Sequence, residues 1–556
     1  MRPLRPFLPL PLLLLLGTAL SPRLPAQQPA ATPAGAALPA ASTPAVPSAN
    51  EAALAEMHSL QEGIKAFRNE EFATAAPSFA SAAAAHIDAT RTAHAYAWLA
   101  RTYLHLHRIP EAAEAAKKGL ESDKALPNAQ TAMAEVYFRQ GKFAEAVDIL
   151  LPLVKSQNAT ARTYLVLAMI HHATANYKNA RSLIELAHQI DAKDPDVDEL
   201  WMLSMSPSER LEEWRKRLVN GKYENEEERT DLAGAIVVLE DQKKNQNRTC
   251  KLINKVNATE TKLQRLMPGV GQLQGYKLAV KVNGLNSSLL PDTGASGILV
   301  NTRVAEKAGI SKVADYQIGG VGDKGAAQGY VGFAEKVQIG ELQFENCYID
   351  VVDKKRSLDV DGLIGADVFE NYLIDVDFPN ERLRLSQLPP YPDQTAEQPS
   401  LQSEETGRSN LHNRWIPPEY AKFEQVYRFG HMLLLPVRLN NAPYHLFLLD
   451  TGASDNTLTP AAAREVTKIH EDSDFKVKGL SGEVKKVYTT GNIELTFGHF
   501  QQRRDDLAAF DLSSASNHVG PEISGTLGFA MLYLLEIKLD YRDNLVDFSF
   551  DPNRFH

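Results

Sequence analysis

Cysteine is nearly absent from this chain: only Cys250 and Cys347 occur in 556 residues. Two thiols exclude a disulfide framework, and their spacing matches no metal-ligand motif. They either pair or lie inert. No segment after the first apolar run reaches the roughly 20 apolar residues that a membrane helix needs. Basic residues are in deficit, 59 against 69 acidic, for a formal charge of -10. With no basic stripe interleaved with aromatics, nucleic acid is excluded as a partner. No glycine-rich loop opens a helix, so a phosphate cradle is missing and no metal, nucleotide or organic cofactor is implied. What remains is ordinary globular composition, 44% hydrophobic and 23% charged, in a chain too long for one core; three or four folded units are expected.

The first residues have the layout of an export signal: Arg2 and Arg5, an apolar run through Leu12 to Leu16, then small and polar residues to Pro25-Ala26-Gln27. The run is too short to span a bilayer and is broken by prolines at 9 and 11. Residues 1–26 are therefore read as a signal peptide and the protein as exported, periplasmic or secreted. No lipid-accepting cysteine follows. Residues 27–50, almost all Ala, Pro, Ser, Thr and Gln, form a linker that cannot bury a core.

From residue 51 to about 200 the pattern is helical and repeats every 34 residues. Ala100, Ala134 and Ala168 share one phase; Ala112, Ala146 and Ala180 share another, as do Ile109, Phe143 and Tyr177. A less regular copy covers Gly63, Phe67, Phe72 and Ala75. The phrases Tyr137-Phe138-Arg139-Gln140-Gly141-Lys142-Phe143-Ala144-Glu145-Ala146 and Ala175-Asn176-Tyr177-Lys178-Asn179-Ala180 resemble the tetratricopeptide repeat (TPR). That resemblance implies stacked helix pairs with a concave surface suited to peptides or a protein partner. His105 with His107, and His171 with His172, do not share a helix face and are not read as metal ligands. Residues 201–264 are strongly charged and read as one or two further helices and a connector.

The period then changes to that of strands with Gly-rich turns, beginning at Leu278-Ala279-Val280-Lys281-Val282-Asn283-Gly284. A Pro-, Gln-, Ser- and Glu-rich linker, residues 391–422, divides this all-β half into lobe 1, residues 265–390, and lobe 2, residues 423–556. The lobes are related. Leu289-Leu290-Pro291-Asp292-Thr293-Gly294-Ala295-Ser296 recurs as Phe447-Leu448-Leu449-Asp450-Thr451-Gly452-Ala453-Ser454. Each copy follows a strand and turn and precedes a Gly-containing turn that can tip a flap: Gly320-Val321-Gly322 in one, Gly479-Leu480-Ser481 in the other. Each then reaches Leu363-Ile364-Gly365 or Thr526-Leu527-Gly528, 73 and 78 residues beyond its aspartate. Closing strands follow at Leu373-Ile374-Asp375-Val376-Asp377-Phe378 and Leu535-Glu536-Ile537-Lys538-Leu539-Asp540-Tyr541.

This duplicated constellation resembles the aspartic peptidases, both retroviral-type and pepsin-like, from about 265 to 552. The resemblance implies an aspartic endopeptidase acting on polypeptide, with Asp292 and Asp450 as one catalytic dyad. Two carboxylates held close share a proton, one accepting from water and the other donating to the scissile carbonyl. Thr293, Gly294, Ser296, Thr451, Gly452 and Ser454 take supporting roles by the same resemblance. Both motifs in one chain favour a monomeric pseudo-dimer, with a homodimer as the alternative. A rival from another class is a non-catalytic TPR scaffold carrying degenerate lobes.

Three departures from the family matter. Pro291 removes a backbone donor next to the first aspartate, which predicts a distorted lobe 1. Ala295 and Ala453 replace residues that usually carry a hydroxyl in pepsin-like members, which predicts raised carboxylate pKa values and a working pH nearer neutral. Thr526 replaces an apolar residue. Asp367, Asp375 and Asp377 are read as solvated carboxylates.

Overall fold

The computed structural model describes residues 49–221, 226–245, 250–254, 256–267, 273–323, 325–352, 360–392, 413–472 and 475–552. The expected signal peptide, nearly all of the linker after it and the middle of the 391–422 linker lie outside these residues.

Eight helices stack as four antiparallel pairs: α1 (Ala49–Arg68) with α2 (Phe72–Ala84), α3 (Ala89–His105) with α4 (Ile109–Ser122), α5 (Pro127–Arg139) with α6 (Phe143–Lys155), and α7 (Ala161–Ala173) with α8 (Tyr177–Ile190). Two of the starts, those of α3 and α7, are marked by side chains that satisfy free amide groups. Asp88 accepts from Arg91 N, and Thr160 and Thr163 form a capping box. All six phase-locked alanines are buried, because a larger side chain there would hold neighbouring helices apart. The turn within each pair repeats too: His107, Gly141 and Ala175 stand in the left-handed region at φ 54, 74 and 58°.

A charged ladder is buried along the stack. Arg101 and Arg162 both donate to Glu135, at 3.2 and 3.0 Å, and Arg162 donates onward to Asp194 at 3.0 Å. Each acid is paired, which is the condition for burying such groups.

Three further helices follow: α9 (Pro195–Leu203), which straddles residue 201, and α10 (Pro207–Asn220) and α11 (Glu226–Lys244) within residues 201–264. Helix α11 lies on the strand Ser311–Ile318 of lobe 1. A methyl at Gly234 would come within 2.4 Å of Asp315 O, and Gln317 N donates to Asp231. The bare backbone at Gly234 sets how closely helix and strand approach.

The β half comprises two lobes joined by a shared antiparallel sheet. Its strand order is Glu424–Gln425, Leu545–Ser549, Glu536–Asp540, Tyr372–Asp377, Arg382–Gln387 and Ala258–Leu266. The two closing strands pair directly, Asp375 opposite Lys538. Residue 265 thus falls inside a strand, since alternation of buried and exposed residues begins at Ala258. Asp375 and Asp377 are not solvated: both are 5% exposed, Asp377 paired with Arg382 and Asp375 beside Arg384. Period-2 alternation placed them on one face without saying that another layer covers that face. Cys250 and Cys347 are joined as a disulfide.

Within each lobe a hairpin delivers the aspartate: Gly275–Val282 with Leu285–Asp292, and Met432–Leu439 with Tyr444–Leu449. The first turns through Asn283 and Gly284 at φ 47 and 83°, the positive values that Asn-Gly supplies cheaply.

The helical half packs onto lobe 2. Phe138, Phe143, Leu446 and Leu448 share one buried cluster, and Arg139 pairs with Glu522. A methyl at Gly141 would come within 2.6 Å of Leu446 Cγ.

Candidate active site

Asp292 ends, and Asp450 directly follows, a strand hydrogen-bonded in parallel to a second strand. Leu289, Leu290, Pro291 and Asp292 pair with Gly362, Leu363, Ile364 and Gly365; Phe447, Leu448 and Leu449 pair with Gly525, Thr526 and Leu527. The register is the same in both lobes, so the distortion expected from Pro291 does not occur. The antiparallel neighbour of this strand pairs only as far as Leu289, leaving no ladder partner on that side for an amide at 291. The Pro291 carbonyl is used instead, accepting from Thr451 Oγ1 at 3.0 Å.

The two threonines lock the loops together reciprocally. Thr293 Oγ1 donates to Leu449 O at 2.6 Å, as Thr451 Oγ1 does to Pro291 O. Each hydroxyl also accepts from the other's amide, Thr293 N to Thr451 Oγ1 at 3.1 Å and Thr451 N to Thr293 Oγ1 at 3.0 Å. Four hydrogen bonds, three of them buried and one partly buried, therefore tie one aspartate loop to the other. They bring each glycine against the opposite carboxyl. A methyl at Gly294 would lie 2.8 Å from Asp450 Cγ, and one at Gly452 would lie 2.4 Å from Asp292 Cγ.

Both carboxyls face loop amides: Asp292 Oδ1 accepts from Gly294 N at 2.8 Å, with the Ala295 amide also acting on it, and Asp450 Oδ1 accepts from Gly452 N and Ala453 N, both at 2.9 Å. Burial, then the Asp450 charge, pushes Asp292 well above the usual carboxylate range. Burial also raises Asp450, opposed by its two amide bonds and its bond to Asp292. Two acids raised together in one buried site hold one proton between them, and that proton belongs to the pair.

The outer residues divide. Ser296 is buried and donates to Asp367 Oδ2 at 2.7 Å, while Gly297 N donates to Asp367 Oδ1 at 2.9 Å. Ser454 is exposed, and among the described residues its carbonyl, not its hydroxyl, is engaged, accepting from Ala530 N. In lobe 2 the bracing falls to Asn456, which accepts from Gly528 N at 2.8 Å. Asp367, discounted from sequence, thus holds the first aspartate loop; its position two residues beyond Gly365 was the available signal. Thr526 Oγ1 meets Thr457 Oγ1 at 2.6 Å, so the polar replacement is satisfied by a second one on the adjoining strand.

The flap candidates meet each other. Ser481 N donates to Val321 O at 3.0 Å, and methyls at Gly320 or Gly479 would strike Leu480 Cβ or Val321 O. Val321 packs with the cluster shared by α5–α7 and lobe 2; Leu480 packs with the cluster under α10 and α11. Both turns thus join apolar clusters to which the helical half also contributes, which a reading of the lobes alone missed.

The Aspartyl protease family pattern matches this chain twice, over residues 278–368 and 435–530. The β half has the architecture of an aspartyl protease. Tetratricopeptide repeat matches residues 60–127, and the pattern of anaphase-promoting complex subunit 3 matches residues 105–187, in agreement with the helical stack. Among curated proteins, DNA damage-inducible protein 1 of Saccharomyces cerevisiae is 30% identical over 111 residues. That stretch is 20% of this chain and a quarter, 25%, of the yeast protein. A crystal structure of a retropepsin-like aspartic protease from Rickettsia conorii aligns with 20% identity and a TM-score of 0.18, covering 25% of this chain and 97% of that one. Both aspartyl protease matches contain one Asp-Thr-Gly-Ala-Ser segment each, and those segments are the ones that meet at the dyad.

Proposed function

We propose that this protein is an aspartic endopeptidase that hydrolyses polypeptides at a single dyad, Asp292 with Asp450. One observation carries the reading: each motif glycine abuts the opposite carboxyl, an arrangement that places two half-buried acids where only one ionises easily. In this mechanism the ionised carboxyl of the pair accepts a proton from the attacking water, and the protonated one donates to the scissile carbonyl oxygen. The raised pKa of both acids supports a working pH nearer neutral than in pepsin-like enzymes.

The shared interlobe sheet and the reciprocal threonine bonds, all within one chain, support a monomeric pseudo-dimer over a homodimer. Export is supported by the layout of residues 1–26 and by the Cys250–Cys347 disulfide. The TPR region serves as a protein- or peptide-binding surface beside the lobes.

Cleavage of a mixed peptide library across pH, by wild type and by Asp292→Asn and Asp450→Asn of confirmed fold, tests the reading. Either substitution should abolish cleavage. Wild type and variants equally silent at every pH would leave a TPR scaffold with inactive lobes.

A further inference from the structure

The turn that begins the second aspartate hairpin crosses to the other lobe. Tyr427–Phe429 pairs with Met432–Leu439, Phe429 opposite Met432, leaving Gly430 and His431 as a two-residue turn. Gly430 has φ 59°, open to glycine without strain. His431, 9% exposed, projects its Nε2 to 3.1 Å from the carbonyl oxygen of Gly294. A carbonyl only accepts, so Nε2 carries the hydrogen and donates.

The turn is held from both lobes. Arg428 Nε donates to Gly430 O at 2.8 Å, Nη1 to Tyr541 O at 2.8 Å and Nη2 to Glu370 Oε2 at 2.9 Å. Charged groups acting on the imidazole are Asp367, beyond the lobe 1 glycine, and Arg428 on its own hairpin; burial keeps it neutral near pH 7. The lobe 1 counterpart, Gln274, stands nine residues before Asn283 as His431 stands nine before Asn440, and it is exposed. Among the described residues no side chain donates to the Gly452 carbonyl.

We infer that His431 is a positioning residue for the dyad, its Nε2–H fixing the Gly294 carbonyl so that the Gly294 amide stays directed at Asp292. The bond acts on the peptide unit after Gly294, and the unit before it supplies the 2.8 Å amide bond to Asp292 Oδ1. Rotation of this loop misplaces the Asp292 carboxyl relative to the water and scissile carbonyl. His431 itself touches neither. The inference rests on the peptidase reading and concerns kcat, because a misaligned acid impairs the chemical step without altering how the peptide is held.

The test compares kcat and KM of wild type, His431→Leu and His431→Gln on one peptide from the library. Gln places an amide N–H near the position of Nε2; Leu places none there. His431→Leu should lose on the order of tenfold to a hundredfold in kcat with KM unchanged, and His431→Gln should recover most of it. Should the Leu variant not fold, His431→Asn, polar but one methylene shorter than Gln, takes its place with the same expectation. Unchanged kcat, a loss confined to KM, or a Gln variant no better than the variant lacking the donor overturns the assignment while the peptidase reading stands. A wild type that cleaves nothing overturns both.

Discussion

Gly452 lies against Asp292 so closely that a single methyl there would come within 2.4 Å of the carboxyl carbon. Gly452→Ala should therefore push the two acids apart without removing either. The expected result is a kcat loss of about a hundredfold or more, from displacement of about an ångström at the reacting groups. Steady-state kinetics beside a thermal melt checks it, and full activity would show that the loops relax without cost.

Thr293 and Thr451 each donate one and accept one hydrogen bond across the lobes. Alanine at either should cost about 1–3 kcal/mol of stability by leaving buried partners unpaired. Because the bonds are reciprocal, the double variant should cost less than the sum of the singles. Urea unfolding of the four proteins measures this coupling; simple additivity would mean that the bonds act independently.

Gly141 should be less replaceable than its repeat equivalents. His107 and Ala175 hold the same left-handed turn with side chains, but only at Gly141 does Leu446 occupy the space. Gly141→Ala is expected to destabilise contact between the helical half and lobe 2 by about 1–3 kcal/mol through overpacking. Limited proteolysis should cut faster between the halves, whereas Ala175→Gly should leave that rate unchanged.

Burial and the adjacent Asp543 charge raise the Asp540 carboxyl to about 6, and burial with Glu536 raises Asp375 to about 6. In the unfolded chain both titrate near 4. The native state thus binds their protons more tightly, so their stabilisation is complete below about pH 4 and disappears as pH rises through about 6. For Asp540, the better buried, the difference amounts to at most about 3 kcal/mol. Asp540→Asn should flatten the decline in melting temperature between pH 4 and 7. An unchanged slope would place the effect elsewhere.

Much of this arrangement was legible in the chain because it is written twice. The identical pentapeptide, the turn before it and the glycine after it located both aspartate loops, and the 34-residue spacing located the small residues where helices touch. Repetition supplied an internal comparison that a lone motif lacks. The same comparison misled where the lobes differ. Ser296 is a buried brace and Ser454 an exposed residue whose hydroxyl braces nothing among the described residues, since Asn456 does that work in lobe 2.

The sequence by itself determined the local conformations: helix caps, Asn-Gly turn, strand alternation and the residue types of the dyad, all set by interactions spanning a few positions. Only the tertiary structure decided which distant groups face one another. Asp292 and Asp450 acquire their raised proton affinities from burial in one shared site, though 158 residues of chain separate them. His431 meets Gly294, and the flap turns meet both each other and the helical half, because close packing selects neighbours by shape and unpaired polar atoms, neither of which a one-dimensional pattern records.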